Sequence, residues 1–184
     1  MSEWEQTAEK TYRAIGRFMF EFSQVEYTIR HYLANEIGLK DEHFSAIVES
    51  YDVGLLITVA RQVFTKRDQP AVSAPFIPGP LPDHLKEQPQ GQQPQRRQND
   101  RAKRIDMLLN RFHEHNVHRN RVAHGLWVPF KDGGTVHHVS RNKLTPGSFA
   151  DQAAALEKHA DELCQLRDDL ENAFMHFELG SRKA

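Results

Sequence analysis

The sequence predicts an all-α protein: an antiparallel four-helix bundle with a short β-hairpin after the third helix. Apolar residues recur at three- and four-residue steps in four separate stretches, which is the period of one buried helix face. A glycine, a proline-rich segment and a Gly/Pro-punctuated run part those stretches. The 184 residues suffice for one domain with a single core, so the four apolar faces must meet one another.

The first stretch runs from about Trp4 to Ile37. Ile15, Phe18, Phe22, Val25, Ile29 and Leu33 share one face, and Gly38 suits a helix stop. The second covers roughly Glu42 to Lys66, with Phe44, Ile47, Val48, Tyr51, Leu55, Val59 and Val63 as its face. Residues 68–99 then hold seven of the nine prolines and many glutamines. Proline blocks helix and glutamine has little to bury, so this reads as a flexible insertion in a single domain, 1–184. It is either an inert tether or a lid or docking loop anchored by Phe76, Ile77 and Leu81.

The third helix is expected to start at Asp100 as N-cap, to bury Ile105, Leu108, Leu109 and Phe112, and to end at His124 before a left-handed Gly125. LWVPF and TVHHVS then read as two short strands turning at Asp132-Gly133, with Pro129 placing its strand at an edge. TPGSF breaks the chain. The last helix, about Phe149 to Leu179, carries Leu156, Ala160, Leu163, Leu170, Phe174 and Phe177.

Composition narrows the function classes. A net charge of −1 does not describe a globally basic nucleic-acid coat. The lone Cys164 allows no intrachain disulfide and reads as a small core residue in a reducing compartment. The charged N-terminal segment and the absence of a long apolar run predict a soluble cytoplasmic protein without a membrane partner. Charge is uneven, however. Residues 96–121 hold eight basic side chains against three acids, and 150–180 hold eight acids against Lys158 and Arg167. Such runs are ordinarily solvated faces.

Several constellations are weighed and set aside. In HEHNVH, residues 113–118, the position four after His113 is Val117, so the zinc-protease spacing fails. His115 and His118 share a face with Glu114, but no further ligand lies nearby in sequence, and the segment reads as a solvated histidine-rich turn. His137 and His138 point to opposite sides of a strand. The chain has no phosphate-binding glycine loop, no Gly-x-Ser-x-Gly elbow and no Glu-x-x-His pair.

RNRVAH, residues 119–124, is different. Asn120 and His124 are four apart on one helix face, and the long Arg119 reaches from the adjacent side. An imidazolium at a helix C-terminus is favoured by the backbone dipole, which suits a proton shuttle near neutral pH. Arg119 offers a planar fork of donors to a phosphodiester, and Asn120 orients one partner. Arg121 is a weaker phosphate contact, and Glu26 either pairs with an arginine near the site or is an ordinary flanking carboxylate.

Arg-Asn-x-x-x-His at the end of the third bundle helix, followed by Gly-Leu-Trp and a hairpin, resembles the HEPN superfamily. FSQVEYTIRHYL in the first helix is loosely similar too. The resemblance covers roughly 10–66 and 100–179. It implies a metal-independent endoribonuclease, a hydrolase of the toxin–antitoxin or antiviral-defence kind, working as a homodimer. Arg119 then stabilises the phosphorane, His124 acts as general base or acid for attack by the 2′-hydroxyl, and Asn120 positions one of them. RNA is the implied substrate, an antitoxin or regulatory protein a possible partner, and no cofactor or metal is expected. Some HEPN domains lack catalysis. The alternative is therefore a non-catalytic helical adaptor that dimerises and captures a partner through the insertion or the acidic last helix.

Overall fold

Helix α1 spans Glu3–Glu36 and starts on a reciprocal cap. The Ser2 hydroxyl accepts from the Glu5 amide at 3.3 Å, and the Glu5 carboxylate accepts from the Ser2 amide at 2.6 Å. It ends on Gly38, whose φ is 67°. The Gly38 amide donates to the Asn35 carbonyl and the Leu39 amide to the Ala34 carbonyl, the paired closure that a left-handed residue permits. In this computed structural model the described residues are 2–40, 43–44, 48, 50–66, 92–128, 135–140, 143–148 and 152–181. The remaining elements are α2 (Val53–Lys66), α3 (Gln92–His124), β1 (Gly125–Val128), β2 (Thr135–Ser140), β3 (Lys143–Ser148) and α4 (Gln152–Ser181).

The four helices form a helical bundle around one core. Phe18, Phe22, Val25, Ile29 and Leu33 of α1 meet Ile105, Leu109 and Phe112 of α3 and Leu163, Leu166, Leu170 and Phe174 of α4. Each such side chain contributes about 1.5–3 kcal/mol by leaving water. Phe22 stacks on Phe112 with ring centroids 4.8 Å apart, and Phe174 touches both Phe64 and Tyr32. Ile15, expected inside, is only partly buried. The side chain of Phe177 lies outside the described residues.

The direction of the helices departs from the expected antiparallel arrangement. Contacts between α3 and α4 run in opposite senses: Arg101 meets Ala173, Arg111 meets Asp169 and His118 meets His159. Contacts between α1 and α4 rise together: Arg17 meets Glu157 and Asp161, Glu21 meets Arg167, and Tyr32 meets Phe174. Helices α1 and α4 are therefore parallel neighbours, and α3 is antiparallel to both. Strict up-and-down order needs short connections, whereas the long segments before α2, α3 and α4 allow a parallel pair.

Helix α2 differs in start and in face. The sequence reading begins it at Glu42, but the helix begins at Val53 on Asp52, whose carboxylate accepts from the Leu55 amide at 2.8 Å. That new start resets the helical phase. Val53, Leu56, Ile57, Ala60 and Phe64 are buried, while the expected Leu55 is exposed and Val59 and Val63 are half-buried. Residues 45–47, Ile47 among them, lie outside the described residues. The buried Arg30 fastens the chain ahead of α2. Its guanidinium donates to the carbonyls of Val48 and Tyr51 and to Glu26 at 2.5 Å. Glu26 is thus partnered within its own helix rather than with an arginine near the motif.

Helix α3 starts at Gln92, eight residues before the expected Asp100 cap. Pro94 sits in the first turn, where its missing N–H costs nothing, and glutamine and arginine are good helix formers. Residues 92–99 of the expected insertion are consequently helical. Residues 67–91, with Phe76, Ile77 and Leu81, lie outside the described residues. The helix ends at His124 as expected, but Gly125 is not the expected left-handed cap: it is already extended and pairs with His138 in β1. The strands pair antiparallel in the order β1-β2-β3. Strand β3 includes Thr145-Pro146-Gly147-Ser148, which the sequence reading took as a break. Pro146 is tolerated because β3 is an edge. Pro129 and the Asp132-Gly133 turn lie outside the described residues.

Candidate functional site

The last turns of α3 present the RNRVAH residues at the end of the bundle core. Val122 of this segment is buried, as is Phe112 two turns before it. The Arg119 Nη1 donates to the Asn120 Oδ1 at 3.1 Å, and its guanidinium carbon lies 6.0 Å from the centre of the Phe22 ring. The Arg119 Nε is buried and, among the described residues, has no hydrogen-bond partner. Asn120 is half-buried, and His124, one turn on, is exposed. The described contacts therefore bring Arg119 and Asn120 together. Among the described residues no hydrogen bond joins His124 to either. Arg121 is exposed.

The rest of the basic run is committed elsewhere. Arg101 donates to the carbonyls of Ala173 and Phe174 near the end of α4. Arg104 and Arg111 both face Asp169, at 3.7 and 3.4 Å. The charge asymmetry read in the sequence is thus partly internal: Asp169 of α4 lies against Arg104 and Arg111 of α3. Cys164, expected in the core, is half-buried with the Arg167 Nη2 at 3.6 Å.

A second group emerges that the sequence reading dismissed. HEHNVH is not a solvated turn. His115 is buried at 8% exposure and His118 is half-buried, because this face of α3 packs on α4. Helix α4 supplies His159 and Glu162, spaced i,i+3 like His115 and His118. The His159 Nδ1 lies 3.2 Å from a Glu162 carboxylate oxygen, and the His115 Nε2 lies 3.9 Å from the same oxygen. The His118 ring leans over His159 with centroids 4.2 Å apart, and Phe18 of α1 closes the other side at 6.2 Å. Burial pushes the His115 imidazole down to about 4; the charges of His159, His118 and Arg111 act in the same direction and the Glu162 carboxylate against it. His118 is lowered as well, first by burial and then by His159 and Arg121. The missing signal was the i,i+3 spacing of His159 and Glu162, which gains meaning only once α4 is known to face α3.

A separate groove of about 500 Å³ between α1 and α4 is lined by Tyr27, His31, Tyr32, Arg167 and Glu171 among others, and by none of the RNRVAH residues. Among the described residues, no helix is long and apolar enough to cross a membrane. Comparison of the chain with protein-family models, with curated proteins and with solved structures finds no match.

Proposed function

We propose that the protein is a metal-independent endoribonuclease of the HEPN kind, with Arg119, Asn120 and His124 as its working residues. The observation that carries this reading is the Arg119–Asn120 pair at 3.1 Å, one helical turn before an exposed imidazole at a helix C-terminus. The chemistry asks for three things. A guanidinium must meet charge that gathers on a pentacoordinate phosphorus, and the part-buried Arg119 places one beside Asn120. A base must take the 2′-hydroxyl proton, and His124 is open to solvent and strand alike. A third group must hold one partner in place, and Asn120 already holds Arg119.

Cleavage by 2′-hydroxyl attack leaves a 2′,3′-cyclic phosphate and a free 5′-hydroxyl, so no metal is required and DNA resists. A homodimer doubles the motif across a shared cleft, and an antitoxin or other regulatory protein is the partner such an activity calls for in the cytoplasm. The adaptor reading draws less support, because three of the α4 acids proposed for docking, Glu157, Asp161 and Asp169, face Arg17, Arg104 and Arg111 within the chain.

The test is RNA cleavage in excess chelator by the wild-type chain, Arg119→Ala and His124→Ala, with a 2′-deoxy substrate as control. Cyclic-phosphate products from the wild type alone support the reading. Equal cleavage by wild type and His124→Ala overturns it.

A further inference from the structure

We propose that His115 of α3 together with His159 and Glu162 of α4 binds a zinc-class divalent transition-metal ion that clamps the two helices. One ligating atom from each residue lies within 4.8 Å of the others. A tetrahedral zinc with bonds of about 2.0–2.1 Å spaces its ligands roughly 3.4 Å apart. The measured separations of 3.2 and 3.9 Å about the Glu162 oxygen bracket that edge, so small side-chain shifts close the set.

The present contacts leave the cluster underused. The His115 Nε2 at 3.9 Å is beyond hydrogen-bonding distance of the carboxylate. Among the described residues the Nδ1 of the same nine-tenths-buried ring has no hydrogen-bond partner. A cation among the three residues gives Nε2 the bond that the carboxylate at 3.9 Å does not supply. Two imidazoles and one carboxylate select zinc, nickel, copper or cobalt over magnesium or calcium, which take oxygen ligands. Three protein ligands leave a fourth position for water. Phe18 and the His118 ring wall the site, and His118 is near enough to orient His159.

The ion bridges an antiparallel helix pair, so its role is to hold α3 in place near the turns that carry Arg119 and Asn120. The inference does not depend on the ribonuclease reading and stands or falls by metal binding alone.

The experiment uses the untagged full chain, stripped with chelator and titrated with Zn2+ by calorimetry, with Co2+ absorption as a geometric readout and Mg2+ as control. One Zn2+ per chain is expected, with a rise in melting temperature and the intense visible bands of four-coordinate cobalt. His159→Gln and Glu162→Gln should weaken binding about 100-fold, at or beyond what outer partners of a site cost. His113→Gln, on an exposed position of the same helix, should leave it unchanged. Zn2+-induced shifts of imidazole nitrogen resonances in the wild-type chain give a readout that needs no variant to fold. Shifts confined to His115 and His159 support the site. Absence of binding, equal competition by Mg2+, or shifts at the other histidines alone would overturn it.

Discussion

The two halves of α3 carry similar residues and meet different fates. Up to Arg111, the guanidiniums of Arg101, Arg104 and Arg111 lie against α4 and meet the Ala173 and Phe174 carbonyls and Asp169. In the last turns, Arg119 rests on Phe22, pairs with Asn120 and keeps an Nε without a hydrogen-bond partner among the described residues, while His124 and Arg121 are exposed. The availability of a guanidinium is therefore set by the facing helix. Between the halves lies the histidine cluster, where α4 offers both imidazole and carboxylate.

The sharpest way to break this comparison is His124→Ala. Under the proposed chemistry it lowers RNA cleavage about 10²–10⁴-fold, while an exposed helix-end residue costs about 1 kcal/mol or less in stability. Single-turnover cleavage alongside a thermal melt reads both. A collapse of the fold would show that the last turn is structural rather than available.

Phe22→Ala comes next. It removes the ring that stacks on Phe112 and underlies Arg119, and the cavity costs about 3–5 kcal/mol in denaturant unfolding. A loss below about 1 kcal/mol would mean that the core does not extend beneath the motif.

Asp169→Asn sharpens the contrast from the other side by releasing Arg104 and Arg111. These are part-exposed pairs, so the stability cost is about 0–1 kcal/mol. If α4 is what occupies them, RNA binding becomes more salt-dependent, by roughly 0.7 in the log–log slope for each guanidinium that turns to phosphate. An unchanged slope would show that these arginines stay out of reach for another reason.

The smallest effect is a pH dependence in the metal-free protein. His115 has a folded-state value of about 4 against an ordinary 6.5, so between those values the unfolded chain binds more protons. Its contribution is present above pH 6.5 and is lost as pH falls toward 4, below which the loss levels off. The charges of His159, His118 and Arg111 oppose protonation of the group and the Glu162 carboxylate favours it. Unfolding midpoints in chelator should fall over that window, and less so in His115→Leu. A flat profile would contradict the burial of this ring.

Much of the architecture was legible in the sequence because a buried helix face writes itself as a three-to-four period. Phe18, Phe22, Val25, Ile29 and Leu33 show it, as do Ile105, Leu108, Leu109 and Phe112. The stop at Gly38 was equally readable, since a left-handed residue after a helix favours glycine. The face of α2 was misread because Asp52 restarts the helix, and a phase carried over from Glu42 points Leu55 inward when it points out. The Arg119–Asn120 neighbourhood was readable because both residues sit on one helix, whose geometry is local.

The sequence by itself determined most of the buried apolar faces of α1, α3 and α4, where α1 and α3 end, and that Arg119, Asn120 and His124 crowd two adjoining turns. Only the tertiary structure decided that α1 and α4 run parallel, that Arg104 and Arg111 of α3 meet Asp169 of α4, and that His159 and Glu162 face His115. Local periodicity follows from backbone geometry that every residue carries with it. Pairing between helices depends on which faces the connections allow to meet, and no single helix encodes that.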